Sequence, residues 1–139
     1  MKRRLAPLVL ALSFLPTASA AAVWAGGDLT TSGFGVHAGG GVLPVPLLGT
    51  LGLEGEYLRA WRTDASTLSL GATLRDLRIP LTSTDAFVGA GLRLSGQGGF
   101  YAEAGLRTPL VGPAGLRFAL RTYPASNELR AGAGVEVRF

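Results

Sequence analysis

Apolar residues recur at every second position in run after run of this chain, and that period admits few folds. The clearest case is 129–139. Leu129, Ala131, Ala133, Val135, Val137 and Phe139 share one face, while Arg130, Gly132, Gly134, Glu136 and Arg138 share the other. Side chains alternate sides along a β-strand, so such a run is a strand with one apolar and one polar face. The run is about as long as a tilted membrane-crossing strand, roughly 9–11 residues.

The same alternation fills most of the chain between turn-forming clusters. Strand-length runs fall at 33–43, 49–61, 67–77, 85–95, 99–108, 115–123 and 128–139, with a weaker first run at 21–27 followed by a turn-like cluster at 28–32. Leu68, Leu70, Ala72 and Leu74 oppose Thr67, Ser69, Thr73 and Arg75; Leu116, Phe118 and Leu120 oppose Arg117, Ala119 and Arg121. Pro44, Pro46, Pro80, Pro109, Pro113 and Pro124 lie between runs or at their ends, as expected of a residue that cannot donate to a ladder. Helical periodicity and solenoid repeats are absent. The expected fold is all-β: a single antiparallel up-and-down barrel of eight strands.

The amino-terminal segment reads as an export signal. Lys2, Arg3 and Arg4 precede an apolar stretch over 5–15, and Ala18-Ser19-Ala20 matches a small-residue cleavage site. The expected division is therefore a cleaved signal at 1–20 and a barrel domain at 21–139. Without the three signal cations, ten arginines face nine acids, so the mature net charge is about +1. That balance gives no reason to expect a nucleic-acid partner. With no cysteine, a disulfide framework, a thiolate metal site and a thiol nucleophile are excluded.

Alternation alone does not say which face is inside. A soluble barrel or sandwich buries the apolar face, whereas a transmembrane barrel turns it outward to lipid. Glycine favours the second. Gly35, Gly39, Gly52, Gly71, Gly91, Gly105 and Gly134 lie on the polar faces, where exposure to water would weaken strands for no gain. Inside a narrow barrel they leave room for long Arg and Glu side chains. Aromatic placement agrees: Phe34, Trp61, Phe100 and Tyr123 fall towards one end and Trp24 and Phe139 towards the other, as interfacial girdles would.

Taken together, these features resemble the small eight-stranded outer-membrane β-barrels (OmpA/OmpX-like), over the whole of 21–139. Phe139, with Val137, Val135 and Ala133 at every second position, is similar to the signal read by the barrel-assembly machinery in that family. The resemblance implies export to the outer membrane, contact with outer-membrane lipid and with that machinery, and a monomer. The short connections depart from the family's longer extracellular loops. The competing expectation is a soluble periplasmic barrel with a roomy apolar interior that binds an apolar ligand, lipocalin-like.

The polar faces supply the candidate site. Glu54, Glu56, Glu103 and Glu136 face Arg75, Arg93, Arg107, Arg117, Arg121, Arg130 and Arg138, which predicts a structural ion-pair network filling the lumen, with surplus arginine near the rims. Glu54 and Glu56, two apart on one face, also match a glycosidase pair, but pairing with arginine is the simpler reading. His37 is the one histidine. A triad with Ser32 and Asp28 is conceivable, yet triads are defined by geometry and no spacing supports this one. A single histidine also makes a transition-metal site unexpected. The string Gly33-Phe34-Gly35-Val36-His37-Ala38 matches a dinucleotide fingerprint in letters only, since its glycines fall at strand period. Arg59 breaks the alternation by sharing the apolar face of Tyr57 and Trp61. No catalytic residue, cofactor or metal is expected.

Overall fold

The structure, a computed structural model, describes residues 22–96 and 98–139. The expected signal at 1–20 lies outside the described residues. Eight strands follow one another along the chain: β1 Val23–Thr30, β2 Gly33–Val45, β3 Gly49–Ala60, β4 Ser66–Arg78, β5 Asp85–Arg93, β6 Gly99–Val111, β7 Ala114–Tyr123 and β8 Glu128–Arg138. Each pairs antiparallel with its sequence neighbours, and β1 pairs with β8 from Trp24↔Arg138 to Thr30↔Gly132, closing the barrel. Closure leaves no unpaired edge.

The weak first run is a full strand, and it runs into the turn expected at 28–32, as far as Thr30. Gly26, Gly27 and Asp28 look turn-like by composition but pair on both sides, to His37, Val36 and Gly35 of β2 and to Glu136, Val135 and Gly134 of β8. Their backbone groups are satisfied by two ladders, which outweighs local preference. The seam continues to Phe139, whose N–H donates to the Val23 carbonyl at 2.9 Å. Pro44 and Pro109 lie inside β2 and β6, each beside a register shift near a strand end, where a missing donor is tolerated.

The connections are short, two to six residues each. One end of the barrel carries Val23, Phe139 and the turns after β2, β4 and β6; we call it the proximal end. The distal end carries the turns after β1, β3, β5 and β7.

Packing runs opposite to a soluble barrel. Outward residues such as Leu53, Leu70, Leu92, Phe118 and Leu120 are exposed, while Glu54, Arg75, Glu103, Arg117, Arg121 and Glu136 are buried. Five large apolar or aromatic residues do point inward: Trp24, Leu58, Phe87, Tyr101 and Tyr123. Trp24 and Tyr123 therefore do not belong to the expected girdles. Phe34, Trp61, Phe100 and Phe139 are exposed as a girdle requires.

The glycines explain how the aromatics fit. A Cβ at Gly52 would lie 2.6 Å from the Trp24 ring, and one at Gly39 would lie 2.5 Å from it. Gly105 makes the same room for Phe87, and Gly71 and Gly91 for Tyr101. The lumen glycines thus accommodate flat rings as much as the long ionic side chains expected from the sequence.

Candidate functional site: the charged lumen

The lumen is filled by one continuous ion-pair network built from seven strands. Its centre is Arg117 on β7. One terminal nitrogen donates to Asp28 at 2.6 Å; the other donates to Glu54 at 2.9 Å and Glu103 at 2.8 Å. Arg75 on β4 bridges Glu54 at 2.7 Å and Glu136 at 2.5 Å. Arg121 on β7 holds Glu103 at 2.7 Å and Glu56 at 2.8 Å, and Arg130 on β8 donates to the same Glu56. Towards the proximal end, Arg107 lies 3.1 Å from Glu136 and donates to the Pro113 carbonyl at 2.9 Å.

These contacts have a physical logic. A charge taken out of water is tolerated only if paired and hydrogen-bonded. Guanidinium offers five donors in a fixed fork and can serve several carboxylates at once. The fully buried set contains Arg75, Arg107, Arg117, Arg121 and Arg130 against Asp28, Glu54, Glu56, Glu103 and Glu136. Five cations meet five anions, so the sealed part of the lumen balances apart from His37.

The guanidinium planes are covered by the inward aromatics. Arg75 lies 4.4 Å from the Trp24 ring centre and 4.9 Å from that of Phe87, and Arg117 lies 4.8 Å from that of Phe87. Arg121 lies 4.0 Å from Tyr101 and Arg93 3.7 Å from Tyr123. Each fork thus spends its edge on carboxylates and its face on a ring. Trp24 also donates its indole N–H to Glu54 at 2.7 Å, which ties an aromatic into the ionic layer.

All eleven ionic residues expected in the lumen face inward. Arg93 and Arg138, beyond the four glutamates' share, lie at the two mouths, each paired there with an acid that the sequence reading did not count. Asp28 belongs to β1 rather than to a turn and takes Arg117. Asp76, at a positive-φ break in β4, holds Arg138 at 2.5 Å, and Glu128 holds Arg93 at 3.3 Å at the distal mouth. Parity would have found Asp28, which shares a face with Trp24 and Gly26 once β1 is extended. It would also have found Phe87, two residues before Gly89.

His37 sits among carboxylates, with Nδ1 2.9 Å from Asp28 and Nε2 3.3 Å from Glu136. A triad would need Nε2 to face a hydroxyl. Ser32 instead contacts Thr30 at the distal rim, so the conceivable Ser32–His37–Asp28 set does not assemble; only its His–Asp half exists. His37, Glu54 and Glu136 do bring ligand atoms within 4.8 Å of one another. Those carboxylates already accept from Arg75, and Glu54 also from Arg117, so guanidinium occupies the place a cation would take. Glu54 and Glu56 are likewise held by arginine rather than facing an open cleft. The glycine string at 33–38 lies on β2 with no helix after it, as its period required.

The lipocalin-like expectation fails on this geometry, because the interior is ionic and packed. The large apolar depression, about 550 Å³, lies on the outer wall over β5 to β8, between Val88, Leu106, Phe118 and Leu120.

Two solved structures share this architecture. A barrel from work on the de novo design of transmembrane β-barrels superposes with a TM-score of 0.62 at 16% identity, covering 86% of this chain and 96% of that one. The N-terminal β-barrel domain of Pseudomonas aeruginosa OprF gives a TM-score of 0.58 at 19% identity, with the same coverage. The chain shares their fold. At these identities the likeness speaks for fold alone. No protein-family model matches the sequence, and no curated protein matches it either.

Proposed function

We propose that this chain is a small outer-membrane β-barrel with a structural, envelope-supporting role and no catalysis. One observation carries the reading: polarity is inverted. An uninterrupted apolar belt surrounds a lumen of paired charges. Soluble monomers rarely expose contiguous apolar patches beyond a few hundred Å², whereas apolar-out, polar-in alternation is what a bilayer demands of a barrel. The two neighbouring folds support this. One comes from the design of transmembrane β-barrels, and the other is the N-terminal β-barrel domain of OprF.

The site supports a structural rather than a chemical role. Every lumen carboxylate in the buried set is engaged by arginine, and no serine hydrogen-bonds His37 among the described residues. A lumen plugged by five arginines and their partners leaves no open path for solutes. Export by the segment at 1–20, recognition of Phe139 with Val137 and Val135 by the assembly machinery, and a monomeric state belong to the same proposal.

The test is cell fractionation combined with gel mobility. The protein is expected in the outer-membrane fraction, extractable only by detergent, with a heat-sensitive shift on a denaturing gel. In planar bilayers the refolded protein is expected to give no stepwise conductance. Recovery in the soluble periplasmic fraction without detergent would overturn the reading.

A further inference from the structure

We infer that the distal rim around Trp61 binds the phosphate of a membrane-lipid headgroup, through Arg59 and Arg62. The inference rests on the proposed membrane location and goes beyond it by naming a lipid class. Arg59 is the one charged side chain on the outward faces of the described strands. It is solvent-exposed at 65%, and its register partner on β2 is the exposed Phe34. A lone charge on an apolar wall is stable only where it reaches the polar headgroup layer. Arg59 is the penultimate residue of β3, so the barrel presents it at that level.

The neighbourhood is built to hold an anion. Arg62 follows in the β3–β4 turn, exposed and without an ion-pair partner among the described residues. Both arginines line one shallow cleft of about 330 Å³, with Trp61, Thr63 and Asp64. Trp61 is fixed by donating its indole N–H to the Thr30 carbonyl at 2.8 Å. Its ring stays 57% exposed beside the cleft. Asp64 is the one competing anion. It contacts Arg59 at 3.4 Å but is itself fully exposed, and such pairs are weak and exchange readily. A lipid phosphomonoester has three terminal oxygens and a charge beyond −1, and matches two guanidinium forks better than one solvated carboxylate does. The phosphate comes from a lipid because the cleft sits beside the apolar wall, below which Tyr57, Val36 and Leu68 continue outward.

The two tryptophans make a direct test possible, since Trp61 is exposed and Trp24, at 1%, is sealed in the lumen. The full chain is folded into phosphatidylcholine vesicles. Fluorescence quenching is compared for phosphatidic acid and phosphatidylcholine, each brominated high on its chains. Phosphatidic acid is expected to quench with a relative association constant roughly fivefold above phosphatidylcholine, the scale of two screened charge contacts. In R59Q/R62Q the ratio is expected to fall to about one, and in R78Q, at the proximal rim, to stay as in the wild type. The gel-mobility shift checks that each variant is folded. A ratio of about one in the wild type, or an unchanged ratio in R59Q/R62Q, would overturn the lipid-phosphate site while leaving the membrane reading intact. Loss of the preference on adding millimolar inorganic phosphate would overturn the lipid as its source. Absence of quenching by either lipid would overturn both readings.

Discussion

Glu54 ties three other strands together inside the lumen. It accepts from Trp24 on β1, Arg75 on β4 and Arg117 on β7. Truncating it takes one carboxylate from each of two buried guanidiniums and leaves the indole N–H without its acceptor. Glu54→Ala is therefore expected to lower unfolding stability by about 3–5 kcal/mol, measured by urea titration of the vesicle-folded protein. Glu56→Ala, which strands Arg130 and leaves Arg121 with Glu103 alone, is expected to act in the same direction. Unchanged midpoints in both would contradict a stabilising network. Glycine gives a sharper contrast on one strand. A Cβ at Gly39 would strike the Trp24 ring, whereas one at Gly40, pointing outward, meets nothing within 4 Å. Gly39→Ala is expected to cost about 1–3 kcal/mol through overpacking, and Gly40→Ala to stay within about 0.5 kcal/mol, by the same titration. At this scale the sequence was legible where parity could be counted. Glu54, Arg75 and Arg117 follow directly from alternation. Trp24 and Tyr123 did not, because size and aromaticity suggested an interface. Their inward turn depends on glycines of neighbouring strands, a cross-strand fact that no single run displays.

Seven strands were visible as elements because each has its own alternation, bounded by proline or glycine. β1 was harder. Its outward face is only Val23, Ala25, Gly27 and Leu29, and its inward face mixes Trp24 with Gly26 and Asp28. It is a strand because both β2 and β8 need a partner, so its evidence is the closed sheet itself. β8 does the closing. The proposed assembly role for Phe139 makes a prediction at this level that separates recognition from stability. Phe139→Ala keeps the backbone pair with Val23 and removes only the ring. Outer-membrane yield in cells is expected to fall, while refolding of the purified variant in detergent is expected to match the wild type. Equal yield in cells would remove Phe139 from the assembly signal. An equal loss in detergent would make its role one of stability instead.

For the molecule as a whole, alternation alone left the barrel's inside and outside interchangeable, and only the glycines and the aromatic placement favoured the apolar-out reading. The structure resolves this by curvature. Closing eight strands puts the Arg–Glu face on the concave side, where five buried cations meet five buried anions. It leaves the leucines, valines and phenylalanines of the strands on the convex side, apart from Leu58 and Phe87. The same closure explains why chemistry was hard to find in the sequence. Glu54, Glu56 and His37 look like reacting groups in one dimension, but in the barrel each is matched to a partner from a distant strand. The central claim is that the convex face meets lipid. Ser69 and Leu70 are adjacent on β4, 1% and 51% exposed, and register places Leu70 beside Leu92 and Gly55 on the outer wall. A fluorophore on Leu70→Cys should be quenched by nitroxide-labelled lipid chains in vesicles, and Ser69→Cys should resist labelling in the folded protein. Free reaction of Leu70→Cys with a water-soluble thiol reagent, without lipid quenching of the attached probe, would contradict the account.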